Sequence, residues 1–188
     1  MVTVGIDEVG RGCWAGPVVA GAVILSGPIE GLKDSKLLSK KQRNKLASDI
    51  EISAIAIGLG WTTPAELDRL GLTAAVALAM QRALDQIVVN YDEIIIDGSY
   101  NFLKDNMKAK AIIKADNSVP SVSAASIYAK VARDSYMSKQ ALHYPSYGFA
   151  EHVGYGTMQH QKNLRLYGIC DLHRRSFKPI KALLQLTP

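Results

Sequence analysis

Apolar and polar positions alternate at the start of the chain, where Val2, Val4 and Ile6 are separated by Thr3 and Gly5, and this period of two predicts a strand over residues 2–7. A continuous apolar run predicts a second strand over 18–25, and the spacing of Ile55, Ile57, Leu59 and Trp61 predicts a third over 52–61. Between them, Ser39-Lys40-Lys41-Gln42 has the spacing of a capping box, in which serine and glutamine satisfy each other's backbone N–H groups, so a short helix to about Ile50 is expected. Thr63-Pro64-Ala65-Glu66 repeats the device with proline at the first helical position. A long helix over 73–89 follows. Glu93-Ile94-Ile95-Ile96-Asp97 is a β-branched run without alternation, the pattern of a strand covered on both faces. A further strand over 109–114 leads into Ala115-Asp116. The remainder predicts an alanine-rich helix over 122–143, a loop rich in Gly, Pro and Tyr over 144–156, a helix over 157–167 and a last short helix from Phe177. Strands first, then strand and helix in alternation, predict an α/β fold with a mixed central sheet flanked by helices.

At 188 residues the chain suits one core and is short for two. No linker, repeat or low-complexity segment divides it, so a single domain over 1–188 with a short helical tail is expected. Its 48% hydrophobic and 21% charged content argues against disorder. The apolar run 17–25 is far below the ~20 residues of a membrane span, and the stretch 72–89 is interrupted by Arg82 and Asp85, so no membrane partner is expected. The N-terminus lacks the basic region of a signal peptide, while Cys13 and Cys170 form neither a disulfide framework nor a metal-spaced pair. A reducing cytoplasm fits best. The net charge of +5 is mild support for a polyanionic partner. It matters because it surrounds a group of acids that would otherwise repel a phosphate backbone.

Those acids share one context. Asp7-Glu8, Asp97 and Asp116 each stand at or just beyond the end of a predicted strand, and adjacent parallel strands would bring these ends to one rim. Taken singly, Asp97 before Gly98 and Asp116 before Asn117 read equally well as turn formers. Together, four carboxylates persist cheaply in a small volume only beside cations, and oxygen ligands select hard ions such as Mg²⁺ or Mn²⁺. Two such ions ~4 Å apart suit phosphodiester hydrolysis without a protein nucleophile. Gly10 and Gly12 flank Arg11 with bare backbone that a ligand can approach closely. His143, His152, His160 and His173 are scattered over the last third and suggest no competing triad.

The chain resembles type 2 ribonuclease H, specifically bacterial ribonuclease HII. The resemblance rests on Gly5-Ile6-Asp7-Glu8-Val9-Gly10-Arg11-Gly12 with Ala15-Gly16-Pro17, on Asp34-Ser35-Lys36, Asp97-Gly98 and Lys114-Ala115-Asp116, and on Ser123-Ala124-Ala125-Ser126-Ile127 with Ala129-Lys130-Val131 and Arg133-Asp134. Gly154-Tyr155-Gly156-Thr157 and His173-Arg174 with Ser176-Phe177 complete it in family order. The resemblance implies a ribonuclease H-like fold and a metal-dependent endonuclease that cuts the RNA strand of RNA/DNA hybrids. It also implies cleavage 5′ of ribonucleotides embedded in duplex DNA, leaving 3′-hydroxyl and 5′-phosphate ends, with a role in ribonucleotide removal.

By the same resemblance Asp7, Glu8, Asp97 and Asp116 bind two Mg²⁺ or Mn²⁺ ions, Glu8 in part through its backbone. Gly10, Arg11 and Gly12 contact the ribose 2′-hydroxyl and the scissile phosphate, Tyr155 lies against the same sugar, and Ser35 and Lys36 lie near the phosphates. Without the resemblance, Lys36 reads as one solvated lysine of a patch with Lys33, Lys40 and Lys41. A monomer is expected. Cys13-Trp14 departs from the proline and aliphatic residue more usual in the family, a change of loop shape only. Arg11 and the start at Met1 favour ribonuclease HII over ribonuclease HIII. The rivals are another ribonuclease H-like nuclease, such as a junction resolvase, which would not need Gly10-Arg11-Gly12 or Tyr155, and a non-catalytic hybrid-binding module, which would not need the acids.

Overall fold

A computed structural model describes residues 1–32 and 38–186, with the side chain of Leu186 excepted. Five strands, β1 (Thr3–Val9), β2 (Val18–Leu25), β3 (Ala54–Thr62), β4 (Glu93–Asp97) and β5 (Ala109–Ile112), form one sheet in the order β3-β2-β1-β4-β5. β1, β2 and β3 are antiparallel, while β4 and β5 run parallel to β1. This is the mixed sheet that the sequence pattern predicts. The helices are α1 (Lys40–Ser53), α2 (Pro64–Leu70), α3 (Leu72–Leu84), α4 (Pro120–His143), α5 (Phe149–His152), α6 (Met158–Tyr167) and α7 (Lys178–Leu186).

Strand alternation assigns the two faces. Val4, Ile6, Ala20, Ala22, Ile94 and Ile96 point to one face and close over Val76, Ala79, Met80 and Ala83 of α3. Gly5 and Gly21 point to the other, where α4 crosses. A Cβ on Gly5 would stand 2.1 Å from the Ser121 carbonyl carbon, and one on Gly21 would stand 2.6 Å from the Ala125 oxygen. α4 therefore rests on bare sheet backbone, closer than any side chain at these positions would permit.

β3 uses the same device against α3. Cβ atoms on Gly58 and Gly60 would approach the carbonyl oxygens of Ala83 and Ala79 to 2.0 and 1.8 Å. The more buried face of β3 is thus its glycine face, while Ile55, on the face with the larger apolar residues, is 53% exposed. The outer edge of β3 is closed by side chains: the Gln86 amide donates to the Leu59 carbonyl (2.7 Å) and accepts the Leu59 N–H (3.3 Å). Arg82 donates to the Trp61 carbonyl (2.6 Å).

Both expected capping boxes form, at Ser39/Gln42 and Thr63/Glu66. The boundaries differ in instructive ways. α1 runs on to Ser53, because the Ala54 N–H still bonds the Ile50 carbonyl, so the third strand starts at Ala54 and not at Ile52. α3 stops at Leu84, where the Gln86 and Ile87 N–H groups turn back to Ala83 and Leu84. β5 stops at Ile112, and Lys114 adopts a left-handed conformation (φ 57°) that sharply redirects the chain. α4 begins earlier than expected, with Pro120 in its first turn. The segment 144–156 contains a 3-10 turn at Pro145–Tyr147 and the single-turn α5.

Candidate active site

Because Val4 and Ile6 face α3, Gly5 and Asp7 must face α4. Parallel pairing aligns Ile6 with Ile96, so Asp7 and Asp97 are side-by-side neighbours one step further along, on strands about 4.8 Å apart. On its other flank Asp7 pairs with Gly21, the residue that lets α4 approach. Asp7 is consequently 9% exposed. Its carboxylate accepts hydrogen bonds from the Ser126 side chain of α4 and from the Glu8 N–H (2.8 Å).

Asp97 closes β4, and its Oδ1 accepts the N–H of Ala115 (2.8 Å) and, at longer range, that of Asp116 (3.5 Å). These bonds tie the strand end to the 3-10 turn Ala115–Asn117 that follows Lys114. Asp116 is 4% exposed, its carbonyl accepts the Ser123 hydroxyl, and its Oδ1 accepts the Asn117 amide (3.3 Å). Glu8 lies 3.5 Å from the Arg11 guanidinium. Asp7, Glu8 and Asp97 act on one another electrostatically, and the Asp116 backbone N–H reaches Asp97 at 3.5 Å.

Desolvation is the largest influence on Asp7, followed by the repulsion of Glu8, with Asp97 adding to it; together they raise its pKa to about 8. Burial raises Glu8 as well, against the opposing pull of Arg11. Ionising all these carboxylates together is costly unless a cation joins them. Among the described residues no group of three His, Cys, Asp or Glu side chains is placed to hold a metal ion, so the four carboxylates expected to share a small volume do not converge on one point in this structure. An all-oxygen donor set that is strained by its own charge, yet open, fits Mg²⁺, which keeps several waters and is held by one or two carboxylates together with substrate phosphate.

The loop 10–17 leaves the end of β1 directly after Asp7-Glu8, and a second loop, residues 153–157, packs on it. Gly10 (φ 84°) passes over Arg133, and a Cβ there would stand 2.2 Å from its Nε. Gly12 has open space around it, and Arg11 extends outward with its guanidinium 5.6 Å from the Phe102 ring centre. Tyr155 is 42% exposed, with the Lys130 ammonium 5.9 Å from its ring centre. The loops are joined to each other, since the Trp14 and Ala15 N–H groups both bond the Gly154 carbonyl (2.8 and 3.2 Å). The fully buried Arg133 links them again, donating to the carbonyls of Pro17 (2.9 Å), Ala15 (3.1 Å) and Val153 (2.9 Å).

Cys13 is buried with its thiol beside the Tyr155 hydroxyl, and Trp14 fills the space over Gly156. The unusual Cys13-Trp14 pair is packing for these two loops. Ser35 and Lys36 lie outside the described residues. Sequence reasoning assigned no role to Ser123, Ser126, Arg133 or Arg174, although all four stand in the quoted motifs; a serine repeated at i and i+3 on a small-residue helix was the available signal. The histidines, scattered along the sequence, meet in space at His152, His160 and His173, with His152 and His160 stacked at 4.4 Å.

Residues 4–180 match the family model described as Ribonuclease HII. A ribonuclease HII from Shewanella loihica is 44% identical over 185 residues, covering 96% of this chain and 89% of that protein. The crystal structure of ribonuclease H2 from Pyrococcus horikoshii OT3 superposes with a TM-score of 0.83 at 28% identity, covering 99% and 98% of the two chains. The structure of the complex of PCNA with ribonuclease HII from Archaeoglobus fulgidus gives 0.77 at 26% identity over 95% and 96%. A mixed sheet with the acids on one rim, a family model spanning nearly the whole sequence and these likenesses lead to one conclusion: the chain has the ribonuclease H-like fold and belongs to the ribonuclease HII family.

Proposed function

We propose that this protein is a divalent-metal-dependent endonuclease that hydrolyses the RNA strand of RNA/DNA hybrids and cuts 5′ of a ribonucleotide embedded in duplex DNA, leaving 3′-hydroxyl and 5′-phosphate ends. The observation that supports this reading is that the acids at the end of β1 lead straight into a bare-backbone loop, whose Cys13 stands beside the exposed Tyr155. The 2′-hydroxyl distinguishes RNA from DNA at a given sugar, and backbone groups reach it only where side chains are absent. Gly12, with nothing near its Cβ position, offers such an approach.

In this reading Asp7, Glu8, Asp97 and Asp116 hold two Mg²⁺ or Mn²⁺ ions, which when bound supply charge neutralisation and activation of the attacking water. Ser126 and the Glu8 N–H hold the Asp7 carboxylate in place, and Asp97 fixes the turn that carries Asp116. Gly10, Arg11 and Gly12 contact the 2′-hydroxyl and scissile phosphate, Tyr155 packs on the sugar at the RNA–DNA junction, and Ser35 and Lys36 grip phosphates. The protein acts as a monomeric single domain in ribonucleotide removal from DNA in the cytoplasm.

The test is direct. Labelled duplex DNA containing one ribonucleotide is incubated with the protein, with and without Mg²⁺ or Mn²⁺, and the cut is mapped. A metal-dependent cut on the 5′ side of the ribonucleotide is expected. A cut elsewhere, or cleavage without divalent ions, overturns the reading.

A further inference from the structure

The segment Leu172–Arg174 lies against the 10–17 loop like a short strand. The Gly16 N–H bonds the Leu172 carbonyl (2.8 Å), the Arg174 N–H bonds the Trp14 carbonyl (2.9 Å), and His173 bridges antiparallel to Ala15. Two adjacent side chains leave this segment for different destinations. Arg174, fully buried, donates from Nε to the Gly16 carbonyl (2.9 Å) and from Nη1 to the Arg11 carbonyl (3.0 Å). Its Nη2 has no hydrogen-bond partner among the described residues, so those two bonds fix its placement. His173 reaches the other loop through a relay: its Nε2 lies 3.0 Å from the Nε2 of His160, whose Nδ1 lies 2.9 Å from the Tyr155 carbonyl.

The tautomers follow from the partners. A carbonyl can only accept, so His160 Nδ1 carries the hydrogen and its Nε2 is left as an acceptor. The facing His173 Nε2 must then donate, which leaves His173 Nδ1 bare to accept the Cys170 N–H (2.9 Å). Both rings are neutral, and every ring nitrogen is engaged. A proton shuttle needs a free ring nitrogen, and a metal site needs lone pairs that converge on one point; this relay has neither. What remains is geometry, and the two carbonyls held are those of Arg11 and Tyr155.

We propose that His173-Arg174 is a positioning pair that sets the spacing between the two halves of the ribonucleotide reader, Arg174 by holding the Arg11 carbonyl and His173 by holding the Tyr155 carbonyl through His160. This rests on the reading above, in which Arg11 and Tyr155 meet the same sugar. Arg133 ties loop to loop, whereas the 173–174 pair addresses the two recognising residues themselves. Their side chains need never touch the substrate.

The experiment compares kcat/KM on a duplex with one embedded ribonucleotide and on a continuous RNA/DNA hybrid, for wild type, His173→Phe, His173→Gln, Arg174→Lys, Tyr155→Ala and the double variant His173→Phe/Tyr155→Ala. His173→Phe keeps a ring but loses the donor, and loss of that hydrogen bond is expected to cost about tenfold more on the embedded ribonucleotide than on the hybrid. His173→Gln restores an N–H near the lost one and recovers most of the difference. Arg174→Lys keeps the charge but not the two-pronged grip, and shows a selective loss of similar size. In the double variant the substrate ratio falls no further than in Tyr155→Ala, because both changes break one unit. Equal losses on both substrates in folded His173→Phe and Arg174→Lys, or losses that multiply in the double variant, overturn the proposal. If Tyr155→Ala leaves the ratio unchanged, Tyr155 is not the recogniser. The positioning claim is then decided by the ¹³C shift of the Tyr155 carbonyl, which must move in His173→Phe and return in His173→Gln. Should His173→Phe fail to fold, His173→Asn, whose amide is too short to reach His160, takes its place in both the substrate ratio and the Tyr155 carbonyl shift, beside the ratio in Arg174→Lys.

Discussion

At the acidic rim, regular structure places the side chains. Register aligns Asp7 with Asp97, alternation turns both toward α4, and a hydrogen bond from the Ala115 N–H to Asp97 brings the turn of Asp116 alongside. The loops 10–17 and 153–157 have no such lattice. They are held by long side chains reaching backbone carbonyls from distant parts of the chain: Arg133 from α4, Arg174 from the C-terminal segment and His160 from α6. Their charges also differ in kind. The rim gathers like charges that oppose one another, while the buried guanidiniums form no salt bridge among the described residues and are accommodated by carbonyl dipoles. In the proposed reading, the rim that takes up cations is left electrostatically dissatisfied, whereas the loops are held by bonds to backbone carbonyls, with the Arg174 Nη2 left unpaired among the described residues.

The largest effect that separates the two regions lies at the rim. Asp7→Asn or Asp116→Asn keeps the shape and removes the charge, and activity is expected to fall by roughly two orders of magnitude or more with folding intact. Near wild-type cleavage by Asp7→Asn across a range of Mg²⁺ and Mn²⁺ concentrations would sink the assignment of Asp7 as an ion ligand.

Stability should respond in the opposite sense when no divalent ion is present. Asp7 is raised from 3.8 to about 8, so between those pH values the folded protein holds a proton that the unfolded chain has released, and stability falls as pH rises through this window. Asp7→Asn escapes that penalty and should melt higher than wild type at pH 8 in chelator. Saturating Mn²⁺ reverses the order, since a ligand bound only by the folded state adds ~2.7 kcal/mol at a hundredfold excess over its dissociation constant. Calorimetric melting of both proteins with and without Mn²⁺ checks this, and an unchanged ranking would contradict it.

A smaller effect belongs to the loops. Burial lowers His160 and His173 to about 4 from an ordinary 6.5, so their contribution to stability is complete above pH 6.5 and is lost as pH falls from there to 4. In metal-free Asp7→Asn, where the opposing titration of Asp7 is absent, the melting temperature should drop by several degrees across that interval on account of these rings. Adding His160→Asn in the same Asp7→Asn background, which can keep the donor to Tyr155 but cannot titrate, should give a shallower slope. An identical slope would mean that the rings are not buried neutral.

The same contrast explains what could be read in advance. The strands, both capping boxes and the placement of Asp7 and Asp97 at strand ends were legible because each depends on local period or on a residue at an element's end. Lys114 in a left-handed conformation and the glycine face of β3 were not, since both answer to the close approach of another element. The scattered histidines became a relay only through the turn of α5, the start of α6 and the segment before α7, three contacts distant in sequence. Nothing local in His160 or His173 announces a partner; Arg133 and Arg174 likewise find carbonyls 118 and 163 positions away.

The amide of Gln86, lying along the outer edge of β3, bears on how the protein behaves in a crowded solution. A nine-residue edge strand with Ile55 exposed offers a template on which a second molecule could add its own strand. Gln86 occupies both hydrogen-bonding groups of Leu59 at the middle of that edge, and Arg82 takes the carbonyl of Trp61, so an incoming backbone finds its central rungs already filled. Gln86→Ala should leave cleavage at low concentration almost untouched and betray itself in light scattering, as an earlier onset of self-association when the protein is concentrated or held warm. One surface glutamine would then govern shelf life and solubility rather than catalysis.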